Sequence, residues 1–376
     1  MIDDNFMRQA MDLAREAATC GEVPVGALVV RDGEIVGRGF NAPISRHDPT
    51  AHAEVMALRD AAAAQRSVQG ACAYVTLEPC SHHGRTGPCC DALLAAGVRR
   101  VVATLADPNP LVAGQGFARL RQAGVEVLLL PPEDPLARQS HRINIGFFSR
   151  MVRQTPWLRM KVAASLDGKT ALPNGQSQWI TGAAARSDGH AWRARASAVL
   201  TGIGTVLADR PQLDVRHVET PRQPHLVLLD SRLQTPLDSP IFLPARQLII
   251  YCAVSDHPRQ AALEAQGAQV ICLPDSRASA APRVDLHAVL RDLARRDINE
   301  VHVEAGQTLN GALVQAGLVD EVLLYLAPKL LGQGRDMAAW GPLQSLNEAL
   351  DLEFNALEMV GADLRIQATV RGRDTF

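Results

Sequence analysis

The chain has 376 residues, 47% of them hydrophobic and 21% charged, with a formal net charge of −2. That length exceeds one ordinary core and predicts two domains, while the composition excludes a disordered or fibrous chain. Residues 1–150 hold 15 arginines against 16 acidic residues, so no basic field is available to draw in nucleic acid, and none is expected as a partner. No apolar run reaches the ~18–20 residues that span a bilayer. Asp3 and Asp4 stand where a secretion signal would carry basic residues, and the expected location is the cytoplasm with no membrane attachment. In such a reducing compartment the cluster Cys80, Cys89 and Cys90, among seven cysteines, points to a metal more than to disulfides.

Phe6, Met7, Ala10, Met11, Leu13, Ala14 and Ala17 recur at helical spacing and predict an amphipathic first helix. Val25–Val30, the turn Arg31-Asp32-Gly33 and Glu34–Phe40 form a β-hairpin pattern. A helix is expected from Thr50-Ala51 through the alanines at 61–64, then a strand over Ala73–Pro79 and a short helix from Cys89 to Gly97. RVVATLA, a helix near 116–123 and VEVLLL complete a β-α-β run, so the first domain is a mixed sheet with helices on both faces. Residues 131–144 are taken as the approach to a boundary, giving domains over 1–150 and 151–376. A new apolar strand begins at Trp157, followed by strand candidates AVLTGIG, HLVLLD, QLIIYCA, AQVICL, NEVHVEAG and EVLLYLAP.

One metal could join three of these segments. His52-Ala53-Glu54 opens a helix, Pro79-Cys80 closes a strand, and Cys89 begins the next helix. Zinc favours a tetrahedron of imidazole nitrogen and thiolate sulfur, and a catalytic site leaves the fourth position to water, whose pKa falls to about 7. Glu54, two residues past the histidine, is placed to shuttle protons without binding metal. H-x-E…P-C-x-x-C is the general mark of zinc deaminases of amino-substituted heterocycles, and this chain matches it but for eight residues between its cysteines. A structural zinc with Cys90 or His82 as a fourth ligand is the alternative, but it would leave Glu54 without a task. Neighbouring residues on a helix point about 100° apart, so Cys90 is read as packing. Cys20, Cys72, Cys252 and Cys272 are read as buried apolar residues.

TLEPCSHHGRTGPCCDALLAAGVRRVV, with eight residues between Cys80 and Cys89, together with Asp107–Pro110 and VAGQGFARLRQAGVEV, resembles the deaminase half of the bifunctional riboflavin-biosynthesis deaminase–reductases. In contrast EVPVGALVV, Asn41 and RHDPTAHAEVMALR are similar to tRNA adenosine deaminases, which suggests an RNA-editing deaminase with an accessory domain as the competing reading. Where the riboflavin family usually has Pro-Asn-Pro-x-Val-Gly, this chain has Glu22-Val23-Pro24-Val25-Gly26.

The second half decides between them. Lys161–Ala171, Ser177–Thr181, Thr201–Arg216, Val303–Glu321 and Tyr325–Gly332 also resemble the riboflavin family, whereas tRNA-acting enzymes lack a large C-terminal domain. The resemblance implies an α/β protein: a cytidine-deaminase-like αβα domain, then a dihydrofolate-reductase-like domain. It implies Zn2+ and NADPH as cofactors, a phosphoribosyl pyrimidine as substrate, and a homodimer. The chemistry implied is deamination of 2,5-diamino-6-ribosylamino-4(3H)-pyrimidinone 5′-phosphate, followed by reduction of its ribose to a ribityl chain.

The residues themselves support a cofactor site in the second half more weakly. The strand into Gly306-Gln307-Thr308-Leu309-Asn310-Gly311, followed by an apolar helix, offers backbone N–H groups to a pyrophosphate. Thr201–Thr205 is a second glycine turn after a strand. No strict G-x-G-x-x-G is present, which argues against an ordinary Rossmann site. Arg193 and Arg216 are candidates for the substrate phosphate; the alternative is solvated surface. Lys161 is one of three lysines in a chain of 35 arginines, where a compact ammonium able to lose its proton is a reason to keep lysine. By resemblance, Lys161 and Glu304 lie nearest the reduced carbon. Ala163, Trp179, Thr205, Asp209, Ser231 and Gly306 to Ala312 face the cofactor. Ser177, Arg193, Leu213, Arg216 and Glu304 contact substrate in the second domain, and Asp107 and Asn109 in the first.

Overall fold

A computed structural model describes residues 3–81, 87–109, 112–278 and 281–376. Packing divides the chain into two units, Met1–Arg153 and Gln154–Thr375. In the first unit the strands are β1 (Gly26–Arg31), β2 (Glu34–Phe40), β3 (Cys72–Val75), β4 (Arg100–Ala103) and β5 (Glu126–Leu129), in the order β2-β1-β3-β4-β5. β1 pairs antiparallel with β2 and β3, while β3, β4 and β5 run parallel. The helices are α1 (Asp4–Thr19), α2 (Ala53–Ala63), α3 (Cys89–Ala95), α4 (Gln115–Gln122), α5 (Pro135–Ile143) and α6 (Ile145–Arg153).

Alternation along β1 explains why both faces of this sheet are covered. Leu28 and Val30 pack with Met7 and Ala10 of α1 and Leu136 of α5. Ala27 and Val29 pack with Ala53 and Ala57 of α2 and Leu93 of α3. Successive side chains of a strand point to opposite faces, so one apolar strand feeds two cores. Gly37 and Gly39 of β2 let α2 come unusually close. A Cβ at Gly37 would lie 2.2 Å from the Ala57 carbonyl oxygen, and one at Gly39 would lie 2.3 Å from the Ala57 nitrogen. That contact fixes the height of α2, and with it the histidine at its start.

The expected helices and hairpin of the first 130 residues are present, with the third strand stopping at Val75, well before Pro79. Residues 131–144, expected to approach a boundary, contain α5 and lead through α6 to the division after Arg153. Asp134 caps it by accepting from the Leu136 N–H at 2.8 Å, and Pro135 occupies its first turn. Leu136, Ala137 and Ser140 are buried, so this segment belongs to the first core.

The second unit is built on a nine-stranded sheet of order β11-β10-β9-β8-β12-β6-β13-β16-β15. Its strands are β6 (Trp157–Ser165), β8 (Ala198–Gly202), β9 (His225–Leu229), β10 (Leu248–Cys252), β11 (Ala268–Cys272), β12 (Glu300–Glu304), β13 (Glu321–Ala327), β15 (Leu352–Val360) and β16 (Asp363–Val370). The first seven in that spatial order are parallel; β16 pairs antiparallel with β13, and β15 antiparallel with β16. β7 (Lys169–Ala171) and β14 (Arg335–Asp336) form a separate two-stranded ribbon. The helices are α7 (Ala183–Arg195), α8 (Ile203–Asp209), α9 (His257–Glu264), α10 (Leu286–Arg295) and α11 (Gln307–Gln315). The hairpin of β15 and β16 escapes a hydrophobic reading because Phe354, Leu357 and Met359 face outward.

β6 is not simply apolar. Leu158, Met160 and Val162 join the main core with Val301 and Val303 of β12. On the opposite face Arg159 is 1% exposed and pairs with Glu300 and Glu321, both at 3.0 Å. Trp157 donates its indole N–H to Glu321 at 2.8 Å, and Arg195 of α7 binds Glu300 at 3.0 Å. Trp192 of α7 lies under the Arg159 guanidinium, 4.5 Å from its ring centre. Removing these charges from water is costly, and mutual pairing offsets that cost. Of the cysteines expected to be buried, Cys252 is, Cys20 and Cys72 are partly covered, and Cys272 is exposed at the end of β11, the edge strand.

Candidate active sites

In the first unit, His52 occupies the N-cap of α2 but does not use its side chain to cap the helix. The ring turns instead toward two sulfurs: Nδ1 lies 3.4 Å from Cys89 Sγ and 3.8 Å from Cys80 Sγ. Ligand atoms of the three residues all fall within 4.8 Å of one another. The Cys89 N–H, at the start of α3, donates to Cys80 Sγ at 3.2 Å. Hydrogen bonding from Cys89 and then from His52 outweighs burial and holds the Cys80 thiol down at about 4, whereas Cys89 keeps its proton through its bond to Cys80 and burial. One imidazole with two sulfurs, one of them already favoured as thiolate, is a donor set that fits zinc.

Glu54 is 4% exposed, in the first turn of α2. Burial, and then the neighbouring Cys80 charge, push its carboxyl up to about 7. A carboxyl poised near neutrality can both take and return a proton. The turn before it is built by Asp48, which accepts from the Thr50 N–H at 2.8 Å and from Arg59 at 2.8 Å. The Cys90 thiol points away from the cluster, donating to the Pro79 carbonyl at 3.3 Å and the Gly116 carbonyl at 3.5 Å. His82, the other candidate fourth ligand, lies outside the described residues. Asp107 and Asn109 are partly buried, and Asp107 Oδ1 accepts from the Asn109 N–H at 2.8 Å.

In the second unit a cavity of about 1800 Å³ lies over the ends of β6, β8 and β12. This exceeds the about 300–1,000 Å³ of a pocket for one small ligand, and leaves room for two. Its lining includes Lys161, Ala163, Ser177, Trp179, Arg193, Thr205, Asp209, Leu213, Arg216, Ser231, Glu304, Gly306, Gln307, Thr308, Leu309 and Ala312. Two expected residues are absent from it. Asn310 is buried and donates to the Ala305 and Met337 carbonyls, and Gly311 is pressed so closely on Ala339 that a Cβ would lie 1.9 Å from its oxygen.

Sheet register brings the key charges together: Glu304 of β12 stands opposite Lys161 of β6. Lys161 Nζ lies 3.8 Å from Glu304 Oε2, and Arg193 grips both carboxylate oxygens at 2.7 and 3.0 Å. Burial alone would raise the Glu304 pKa, but Arg193 and then Lys161 outweigh it and hold the group well below the usual carboxylate range. Arg193 therefore serves the carboxylate, while Arg216 pairs with Asp214 and gives its backbone N–H to His190 Nδ1 at 3.3 Å. Trp179 is 61% exposed, with the Arg186 guanidinium 4.3 Å from its ring centre.

The same cavity fits a dinucleotide. Gly204 and Gly306 both border it, and a Cβ added at either would enter open space. Gly306 caps α11 without a side chain, leaving the first N–H groups of that helix for an anion.

Sequence reading passed over Glu78, His190 and His302. Glu78 is buried just before Pro79, where a carboxylate at the end of an apolar strand was the available signal. His302 is fully buried beneath Glu304, with Nε2 3.6 Å from Oε1. Burial, despite Glu304, lowers its pKa to about 3; burial, then Arg193 and Arg216, lowers that of His190 to about 4.

Comparison with known proteins decides between the two resemblances. Residues 156–366 match the family model described as RibD C-terminal domain, and residues 1–105 match that of the cytidine and deoxycytidylate deaminase zinc-binding region. The riboflavin biosynthesis protein RibD of Escherichia coli is 40% identical, covering 97% of this chain and 98% of its own. The chain belongs to the RibD family. The Haemophilus influenzae protein is also 40% identical, over 98% of this chain and 97% of its own. The solved Acinetobacter baumannii RibD superposes with a TM-score of 0.84 at 37% identity, covering 97% of this chain and 98% of that one. The deaminase/reductase of Thermotoga maritima superposes with a TM-score of 0.80 at 30% identity, with 98% of each chain covered. The chain is thus a bifunctional enzyme of riboflavin biosynthesis, a zinc-dependent deaminase and an NADPH-dependent reductase. Its two folds are cytidine-deaminase-like and dihydrofolate-reductase-like. Among the described residues, no helix is long and apolar enough to cross a membrane.

Proposed function

We propose that residues 1–150 deaminate 2,5-diamino-6-ribosylamino-4(3H)-pyrimidinone 5′-phosphate, and that residues 151–376 reduce the ribose of the product. His52, Cys80 and Cys89 would hold zinc, which when bound acidifies water; NADPH, when bound along Gly204, Ser231 and Gly306–Leu309, supplies hydride. In the first reaction water adds to the amine-bearing ring carbon, the C–N bond breaks and ammonia leaves. Glu54 takes the proton of the attacking water and returns it to the leaving amine. Asp107 and Asn109 line the pyrimidine.

In the second reaction C1 of the ribose, in its ring-opened imine form, accepts hydride and the imine nitrogen accepts a proton. Lys161 stands nearest that carbon, oriented by Glu304, and Ser177, Leu213 and Arg216 contact substrate. Arg193 acts here by holding Glu304. The observation that carries the reading is the convergence of His52, Cys80 and Cys89 beside the buried carboxyl of Glu54. The free state of all seven cysteines fits a cytoplasmic enzyme, and the near-neutral charge of each half fits an enzyme without a nucleic-acid partner. A homodimer completes the reading and is checked by sedimentation.

The test is mass spectrometry of products made from the phosphoribosyl pyrimidine. Without NADPH the amine should be exchanged for oxygen; with NADPH the product should gain two further hydrogens. A preparation that releases no ammonia, or that never oxidises NADPH when given the deaminated intermediate, overturns the corresponding half.

A further inference from the structure

Glu78 lies two residues ahead of Cys80 and is 5% exposed. Its carboxylate accepts three backbone N–H groups: from Asp107 at 3.0 Å and Gly114 at 2.9 Å on Oε2, and from Phe117 at 3.1 Å on Oε1. Asp107 and Gly114 belong to the connection between β4 and α4, which also carries Asn109, and Phe117 to the first turn of α4. The Cys90 thiol makes a second tie, bonding both the Pro79 carbonyl and the Gly116 carbonyl. Gly116 rests so closely on the same turn that a Cβ there would lie 2.1 Å from the Pro79 oxygen. The turn that delivers Cys80 and the segment expected to meet the pyrimidine are therefore clasped at several points, with Glu78, Pro79, Cys90 and Gly116 all buried.

A carboxylate suits this position because both oxygens are acceptors and all three neighbours are donors. Three N–H bonds also replace the hydration the buried charge gives up. The isosteric amide would turn an NH2 group toward at least one of those donors.

We propose that Glu78, with Cys90 as its second arm, is a positioning residue for the deamination. It sets the register of Asp107 and Asn109 against the Cys80 turn without touching substrate. The inference rests on the deaminase reading, with Asp107 and Asn109 as pyrimidine contacts. Displacement of a binding segment by about an ångström is enough to change kinetics by orders of magnitude.

The experiment measures Glu78→Gln, Cys90→Ala and wild-type holoenzyme side by side for zinc content, deamination kinetics and reduction of the deaminated intermediate. Glu78→Gln should retain one zinc per chain, raise KM for the pyrimidine about tenfold or more, and lower kcat less than about threefold. Reduction should be unchanged. Combining Glu78→Gln with Asn109→Ala should add little to KM beyond the larger single effect. Cys90→Ala should shift KM in the same direction by a smaller factor, and decides the matter if Glu78→Gln does not fold. An unchanged KM in zinc-replete variants overturns the proposal, as does a fall in kcat that merely tracks zinc loss. Failure of the wild-type enzyme to deaminate would instead remove the reading on which the proposal rests.

Discussion

The two units solve the problem of placing reactive groups in opposite ways. In the first, three metal-ligating side chains, from the N-cap of α2, the loop after β3 and the start of α3, meet within 4.8 Å. In the second, the reactive pair Lys161 and Glu304 sits on adjacent strands, above the buried charges of Arg159, Glu300 and Glu321 and the buried neutral ring of His302. A compact metal centre tolerates a plain hydrophobic scaffold. An organic cofactor beside a substrate needs a cavity of about 1800 Å³ whose charges must be held apart from water by other charges. The first design concentrates risk in a few ligands, and the second spreads it across a network.

The sharpest way to break that contrast is to remove the metal. A chelator should abolish ammonia release while leaving NADPH oxidation with the deaminated intermediate intact; equal loss of both would show that the units are not chemically separate. Next in size, Glu54→Gln should lower the deamination rate by about 10²–10⁴-fold, with zinc content and reduction preserved. An effect smaller than tenfold would assign the proton transfer to another group.

Arg159→Ala tests the network. Leaving Glu300 and Glu321 buried with less charge compensation should cost about 3–5 kcal/mol, read from urea unfolding. All four tryptophans (Trp157, Trp179, Trp192 and Trp340) belong to the second unit, so their fluorescence reports on it directly. A cost below ~1 kcal/mol would mean that Trp157 and Arg195 suffice to balance the carboxylates.

Acid offers the mildest test. His302 and His190 have pKa values lowered to about 3 and about 4, below the ordinary 6.5 of an unfolded histidine. The unfolded chain thus binds more protons between those limits. The stability from burying neutral imidazoles is complete above pH 6.5 and lost as pH falls toward 4 and then 3. Tryptophan-monitored stability should decline over that window, and His302→Asn should flatten its lower part. A flat profile between pH 6.5 and 4 would contradict the burial of these rings.

How much of this was legible beforehand follows the same division. The zinc ligands and Glu54 could be read because each sits in a short segment whose spacing carries the chemistry. Arg159 could not be assigned, because an arginine in an apolar strand looks like an exposed edge until Glu300 is brought to it from 141 residues away. Glu78 left a single signal, a carboxylate closing an apolar segment, because its partners are backbone groups with no residue signature. Helix α5 was missed although Asp134-Pro135 is a strong start signal, because the segment was read only as the approach to a boundary. The outward apolar residues of β15 reverse the usual inside-out pattern, so periodicity had nothing to register.

The glycines of β2 have a practical consequence for anyone comparing variants of this enzyme. A methyl group at position 37 or 39 would act as a wedge beneath α2, tipping His52 and Glu54 together away from the sulfurs. Such a protein would retain every residue that a motif search inspects and could still be inert.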